Sequence, residues 1–255
     1  MVLRTVLGVV CAAAMASASA TMAAMTMGAA TAQRPAPDQI PADGGRITIL
    51  PVNHASLQIA FGQAIIDVDP VAQANFDGLH APTLILVTDI HGDHLDPASV
   101  QKLGTPSTSV VAPAAAADRL PGATVIANGE TKTVAGVRIE AVPMYNLTRG
   151  PSAGQLFHDK GRGNGYVLTL GGKRIYIAGD TECTPEMKAL RDIDVAFLPM
   201  NLPYTMTPAE AADCAKAFHP AIVYPYHYRG QDVNAFARAL EGTGIDVRLR
   251  DWYGR

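Results

Sequence analysis

Two histidines and three aspartates fall within eight residues at Asp89-Ile90-His91-Gly92-Asp93-His94-Leu95-Asp96. If they face one cavity they offer imidazole nitrogen and carboxylate oxygen to a cation. That donor set suits Zn²⁺, admits Mn²⁺ or Fe²⁺, and leaves positions open for water. A solvated polar loop uses the same residue types to no effect, so the manner in which the segment is held decides between the two readings. It directly follows Thr83-Leu84-Ile85-Leu86-Val87. Such an apolar run reads as a strand buried on both faces, and a rigid strand end can aim side chains into a shared cavity.

The remaining elements suggest how other ligand-type residues reach the same place. Short strands are expected over residues 46–52, 56–61 and 64–68, the last two joined by a turn at Gly62-Gln63. Asp96 followed by Pro97 is an N-cap with proline in the first turn, opening a helix to about residue 103. Strand and helix pieces follow over 109–112, 114–119, 124–127 and 136–142. Residues 145–164 show no periodicity, and a connection of that length inside a compact domain usually serves a site. A hairpin over 166–170 and 174–178, turning at Gly171-Gly172, ends at Gly179-Asp180-Thr181. Thr184-Pro185 opens a helix and residues 194–198 form another buried strand. Thr207-Pro208-Ala209-Glu210 carries a capping box for a helix ending at Phe218. A strand at 222–224 leads into Pro225-Tyr226-His227-Tyr228; a helix from Asp232 and a strand at 247–249 close the chain. Paired strands followed by alternation with helices predict an α/β fold, two sheets packed together with helices outside. Three strand ends therefore carry potential ligands: Asp89, His91, Asp93 and His94 after one, Asp180 after another, His227 after a third.

At 255 residues, 48% hydrophobic and 17% charged, the chain can bury a sizeable core. Residues 1–32 hold one charged residue, Arg4, then an apolar run and small-residue sites at Ala18-Ser19-Ala20 and Ala30-Thr31-Ala32, the pattern of a secretory signal peptide. Residues 33–45, rich in Pro and Ala, are expected as a linker, with the folded domain over 46–255. This predicts a periplasmic or secreted protein with no stable membrane insertion after cleavage. Without Arg4, 19 basic side chains face 23 acidic ones, which disfavours nucleic acid as a partner. Past the leader only Cys183 and Cys214 remain, able to pair in an oxidising compartment or to stay buried thiols.

In this order and spacing the pieces resemble the metallo-β-lactamase superfamily. The resemblance covers residues 46–255: Asn53-His54-Ala55-Ser56, Asp67-Val68-Asp69-Pro70, the central motif, Gly163-Asn164-Gly165-Tyr166, Ile177-Ala178-Gly179-Asp180-Thr181, Tyr204-Thr205-Met206-Thr207 and Pro225-Tyr226-His227-Tyr228. Within the superfamily the chain looks most like the predicted metal-dependent hydrolases that include L-ascorbate-6-phosphate lactonase. The resemblance implies an αββα sandwich of two mixed β-sheets flanked by helices, with two metals at one edge. Its first motif is H-x-H-x-D-H, where this chain has Asp89 as the first position, and a further family His falls at Tyr145-Asn146. The first metal would then have Asp89, His91 and Asn146; the second keeps Asp93, His94 and His227, with Asp180 to bridge. His158, in the long loop, either replaces Asn146 at the first metal or lies behind the ligands or on the surface. His54 orients a ligand or substrate, or is a satisfied core histidine.

The activity this implies is hydrolysis by a metal-bound hydroxide of an ester, lactone or related bond in a small molecule, one or two Zn²⁺ being held, with Mn²⁺ or Fe²⁺ open at the first position. Asp93 and Asp180 are the expected catalytic carboxylates. Arg162, with Lys160 and Arg229, would meet an anionic substrate group; Asn164 and Tyr204, with Tyr226 and Tyr228, would support or line the mouth. The alternatives are a phosphodiesterase resembling the N-acylphosphatidylethanolamine phospholipase D branch, and a non-catalytic metal-binding or sensing protein.

Overall fold

The apolar run after Thr83 divides its side chains between two hydrophobic layers. Leu84 and Leu86 join the main core, while Ile85 and Val87 join a second one with Leu95, Val100, Ala112, Ala116 and Leu120. The period-two alternation of a strand accounts for this, and burial of both faces requires cover on each side of the sheet. In the computed structural model, which describes residues 1–2 and 36–254, that sheet holds seven strands in chain order. They are β1 (Asp38–Ala42), β2 (Gly45–Asn53), β3 (Ser56–Phe61), β4 (Ala64–Val68), β5 (Leu84–Leu86), β6 (Ser109–Ala112) and β7 (Thr124–Val125). A second seven-stranded sheet holds β8 (Thr131–Val134), β9 (Val137–Met144), β10 (Gly163–Leu170), β11 (Lys173–Ile177), β12 (Val195–Pro199), β13 (Ile222–Tyr226) and β14 (Asp246–Val247).

Both sheets follow one pairing rule. Strands β1 to β4 pair antiparallel and β4 to β7 parallel; β8 to β11 pair antiparallel and β11 to β14 parallel. Parallel neighbours end on the same edge of their sheet. The residues just past β4, β5, β11, β12 and β13 thus emerge along such an edge, and these are Asp69, the central motif, Asp180, Asn201 and His227.

Helix α1 (Pro97–Leu103) starts where the sequence indicates, with Asp96 accepting from the backbone N–H of Ala98; α2 (Ala114–Ala117) and α3 (Pro185–Lys188) are short. Helix α4 (Pro208–Phe218) carries the full capping box of Thr207 and Glu210, and α5 (Val233–Ala239) is capped by Asp232. No helix among the described residues is long and apolar enough to cross a membrane. Cys183, just before α3, is disulfide-bonded to Cys214 in α4.

Two expectations change. Part of the stretch read as a linker, residues 38–42, is strand β1, joined to β2 through Asp43-Gly44. Ile40 is buried in the main core, and Asp38 pairs with Arg250 and accepts from Tyr224, so this segment belongs to the sheet. Strand β8, too, had no sequence counterpart, being polar and mostly exposed. The leader expected over residues 1–32 lies, apart from its first two residues, outside the described residues.

Candidate metal centre

The core of the site is a set of closely spaced nitrogen and oxygen atoms at the sheet edges, buried but for the half-exposed Asp93. His94 Nε2 lies 3.3 Å from Asp180 Oδ2 and 3.9 Å from Asp93 Oδ1, and His227 Nε2 lies 3.3 Å from both Asp93 Oδ2 and Asp180 Oδ1. Ligands about 2.0–2.2 Å from a tetrahedral ion stand about 3.3–3.6 Å from one another. Asp93, His94, Asp180 and His227 thus have the spacing of a cation's coordination shell. His94 Nε2, His158 Nε2 and Asp180 Oδ1 are buried with no hydrogen-bond partner, an arrangement that native interiors avoid unless something else satisfies the atoms.

A second group stands beside it: Asp89, His91 and His158. Asp89 Oδ2 is 2.9 Å from His91 Nδ1 and 3.8 Å from His158 Nε2, while His158 Nε2 is 3.4 Å from Asp180 Oδ2. Asp180 therefore touches both groups, one oxygen toward His227 and the other toward His94 and His158. Asn146, read as the first-site ligand, is instead the support of His158. Its Oδ1 accepts from the His158 backbone N–H and lies 2.7 Å from His158 Nδ1, while its Nδ2 donates to the Tyr204 carbonyl. With Nδ1 occupied, His158 presents Nε2, and Asn146 has no free donor atom for a cation.

Other contacts hold these side chains in place. Asp69 accepts from the backbone N–H and hydroxyl of Thr88 and lies 2.7 Å from His94 Nδ1, which turns His94 Nε2 toward Asp180. The Tyr253 hydroxyl accepts from the N–H groups of Tyr228 and Arg229, directing its own proton at His54 Nδ1, 2.7 Å away. His54 then carries its proton on Nε2, 3.4 Å from Asp93 Oδ2, with its ring stacked on His227 at 3.7 Å. His54, Asp69 and His227 all have positive φ, at 52°, 44° and 47°. That conformation is uncommon for such residues and collects at functional sites.

Charge is concentrated here. Burial opposes ionisation of Asp180, yet the neighbouring His227 and His94 hold it well below the usual carboxylate range. Burial likewise opposes ionisation of Asp93, but hydrogen bonds from His227 and His54 outweigh it; for Asp89, burial is outweighed by His91 and by the charges of His94, His158 and Arg162. His94 is pushed up, against its burial, by Asp180 and Asp69. His54 goes the other way, burial lowering it to about 4, so it is neutral. Ionised carboxylates among imidazoles are the electrostatic complement of a cation.

The centre opens into a cleft of about 340 Å³ whose walls include His54, His91, Phe157, Asn201, Tyr204 and Arg229. Of the three tyrosines considered for the mouth, Tyr204 alone lines it; Tyr226 is buried and accepts from the Gly179 N–H, and the Tyr228 hydroxyl donates to the Arg250 carbonyl. Asn164 has no place at the substrate: buried, it donates to the Ile126 carbonyl and its own N–H bonds the Thr88 carbonyl, bracing the motif loop. Arg162 forks onto Asp89 and Lys160 pairs with Glu186. The loop that leads to Phe157 and His158 hangs on Glu182, a buried carboxylate that accepts from the N–H groups of Leu147, Thr148 and Arg149 and from the Thr148 hydroxyl. Arg149 bridges Glu182 to Glu210 of α4. Phe157, Asn201 and Tyr253 were not anticipated; the strand-end rule that found Asp180 could have flagged Asn201.

Two mixed sheets of matching topology with an Asp/His centre at their edges define a metal-dependent hydrolase of the metallo-β-lactamase fold. A family model described as the beta-lactamase superfamily domain matches residues 48–227, and the chain belongs to that family. It is similar to the UPF0173 metal-dependent hydrolase of Methanopyrus kandleri, 30% identical over 221 residues, spanning 80% of this chain and 95% of the relative. Among solved structures it resembles a protein of Parabacteroides distasonis described as a metal-dependent hydrolase, at 43% identity and TM-score 0.80, covering 84% of this chain and 98% of that one. Igni18, a metallo hydrolase from Ignicoccus hospitalis, shares the fold at 21% identity and TM-score 0.66, over 80% and 95% of the two chains. Family and cluster together imply use of a divalent metal.

Proposed function

We infer that this chain is an exported hydrolase that opens an ester, lactone or related bond of a small molecule, with Zn²⁺ as the preferred ion. The observation that carries this reading is the cluster of Asp93, His94, Asp180 and His227 at coordination spacing, in which His94 Nε2 and Asp180 Oδ1 are buried with no hydrogen-bond partner. A nitrogen and oxygen donor set of this size suits zinc. Export is supported by the leader-like composition of residues 1–32 and by the Cys183–Cys214 bond, since such bonds persist in oxidising compartments.

A divalent ion bound there supplies Lewis acidity and makes water a nucleophile near neutral pH. The chain's own residues do the rest. Asp93 and Asp180 present ionised oxygens that hold the attacking water by accepting its hydrogen bonds. Neutral His54 directs its Nε2–H at Asp93 and so holds that carboxylate in place for the water. Phe157 and Tyr204, ring centroids 4.9 Å apart, form an apolar wall next to His158, and Arg229 follows His227 by two residues at the other group. A compact substrate with an apolar portion and an anionic portion matches those walls.

The test pairs elemental analysis of the purified protein with turnover of aryl-ester, lactone and bis-phosphate probes. The expected result is bound zinc with ester or lactone turnover, and loss of at least about 100-fold in both metal affinity and rate for His227→Ala. Bis-phosphate turnover alone would move the activity to phosphodiester cleavage; turnover surviving His227→Ala would end the assignment.

A further inference from the structure

The two groups of ligands carry unequal charge, and Arg162 is the cause. Its Nε and Nη2 each lie 3.2 Å from an oxygen of Asp89, a two-pronged pairing suited to the guanidinium fork. The Asp89 side chain is 0% exposed and that of Arg162 19%, so water screens the pair poorly. Asp89 is the single carboxylate that the first group has to itself, and its charge is already cancelled. His91 and His158 add imidazole nitrogen, which brings no negative charge to a bound ion. The second group contains Asp93 and Asp180, whose ion pairs among the described residues are all with histidines. A dication there meets two carboxylates that no Lys or Arg neutralises; at the first group, beyond the neutralised Asp89, it meets only the shared Asp180 and has a guanidinium at close range.

We propose that Arg162 is a built-in counter-cation which keeps the first group from holding an ion tightly, so that the protein carries one firmly bound divalent ion, at Asp93, His94, Asp180 and His227. This rests on the reading that the centre binds a divalent metal, and it adds the number of ions and the residue that sets it. Arg162 acts through Asp89, as a positioning residue. Removing its charge leaves a buried carboxylate whose remaining partners are the imidazoles of His91 and His158, and a second cation would balance it.

The experiment is a titration of metal-free protein with Zn²⁺, and separately with Mn²⁺, against a chromophoric chelator, for wild type, Arg162→Gln and Arg162→Lys. Circular dichroism of each form reports folding. Wild type is expected to take one tight equivalent, with a second at least about tenfold weaker, the sign set by like charges a few ångströms apart. Arg162→Gln is expected to take two comparably tight equivalents, while Arg162→Lys, which keeps the charge, stays at one. Two equal, tight equivalents in wild type would overturn the proposal, as would a folded Arg162→Gln that still holds one. If Arg162→Gln fails to fold, the wild-type and Arg162→Lys titrations still decide. The readout needs no substrate: one tight ion without turnover would sink the hydrolase reading and leave this one standing, and no tight ion would sink the metal centre itself.

Discussion

Asp69 lies outside the cleft yet sets which nitrogen of His94 faces it. Fixed by two bonds from Thr88, its carboxylate meets His94 Nδ1 from behind. Partners of this kind typically contribute 10–100-fold to metal affinity. Asp69→Ala is therefore expected to weaken the first tight Zn²⁺ equivalent by about 10–100-fold in chelator competition; Asp69→Asn, which keeps an acceptor oxygen, should weaken it less. Residue types at the centre were legible in the sequence because ligands must be His, Asp or their equivalents. Their pairings were not. Arg162 stands 73 positions from Asp89 and Asp69 25 from His94, so no local pattern distinguishes an arginine that meets substrate from one that neutralises a ligand. The choice between Asn146 and His158 was likewise settled by one hydrogen bond across twelve residues.

At the scale of elements, the turn after β11 has no room for a side chain. Gly179 has φ +68°, and a Cβ there would press into the Met144 side chain and lie 3.3 Å from the Asn164 carbonyl. Gly179→Ala is expected to cost about 2–4 kcal/mol, strain and overpacking together, measured by urea denaturation, and to displace the adjoining Asp180 enough to weaken metal binding in the same titration. Elements with strong local signals matched the sequence reading closely: β5 by its apolar run, α4 by its capping box, α1 by Asp96. Strand β1 escaped notice because proline and alanine around it mimic a linker, although Asp43-Gly44 is a two-residue hairpin signal. Strand β8, exposed and polar, depends on β9 for its existence and leaves no periodic trace.

For the whole molecule, the same order of antiparallel then parallel pairing in both sheets brings strand ends 134 residues apart in sequence, at Asp93 and His227, to within 3.3 Å. Composition and spacing announced a layered α/β fold; the closeness of these two residues is a product of topology and was expected through family resemblance. The covalent tie between Cys183 and Cys214 closes a 31-residue span that includes β12. Loop-closure entropy puts its contribution at about 3–4 kcal/mol. The Cys183→Ser, Cys214→Ser double variant is expected to lose about that much in guanidinium denaturation, and reductant should destabilise wild type but not the variant.

Glu182 grips the loop by the main-chain amide alone at residue 147, and by both amide and hydroxyl at Thr148. The exposed side chain at position 147 is thus free to change while the loop stays moored, and the ligand-bearing residues are secured by other partners. A designer seeking a different substrate could begin at this one position, with the metal centre left as it is.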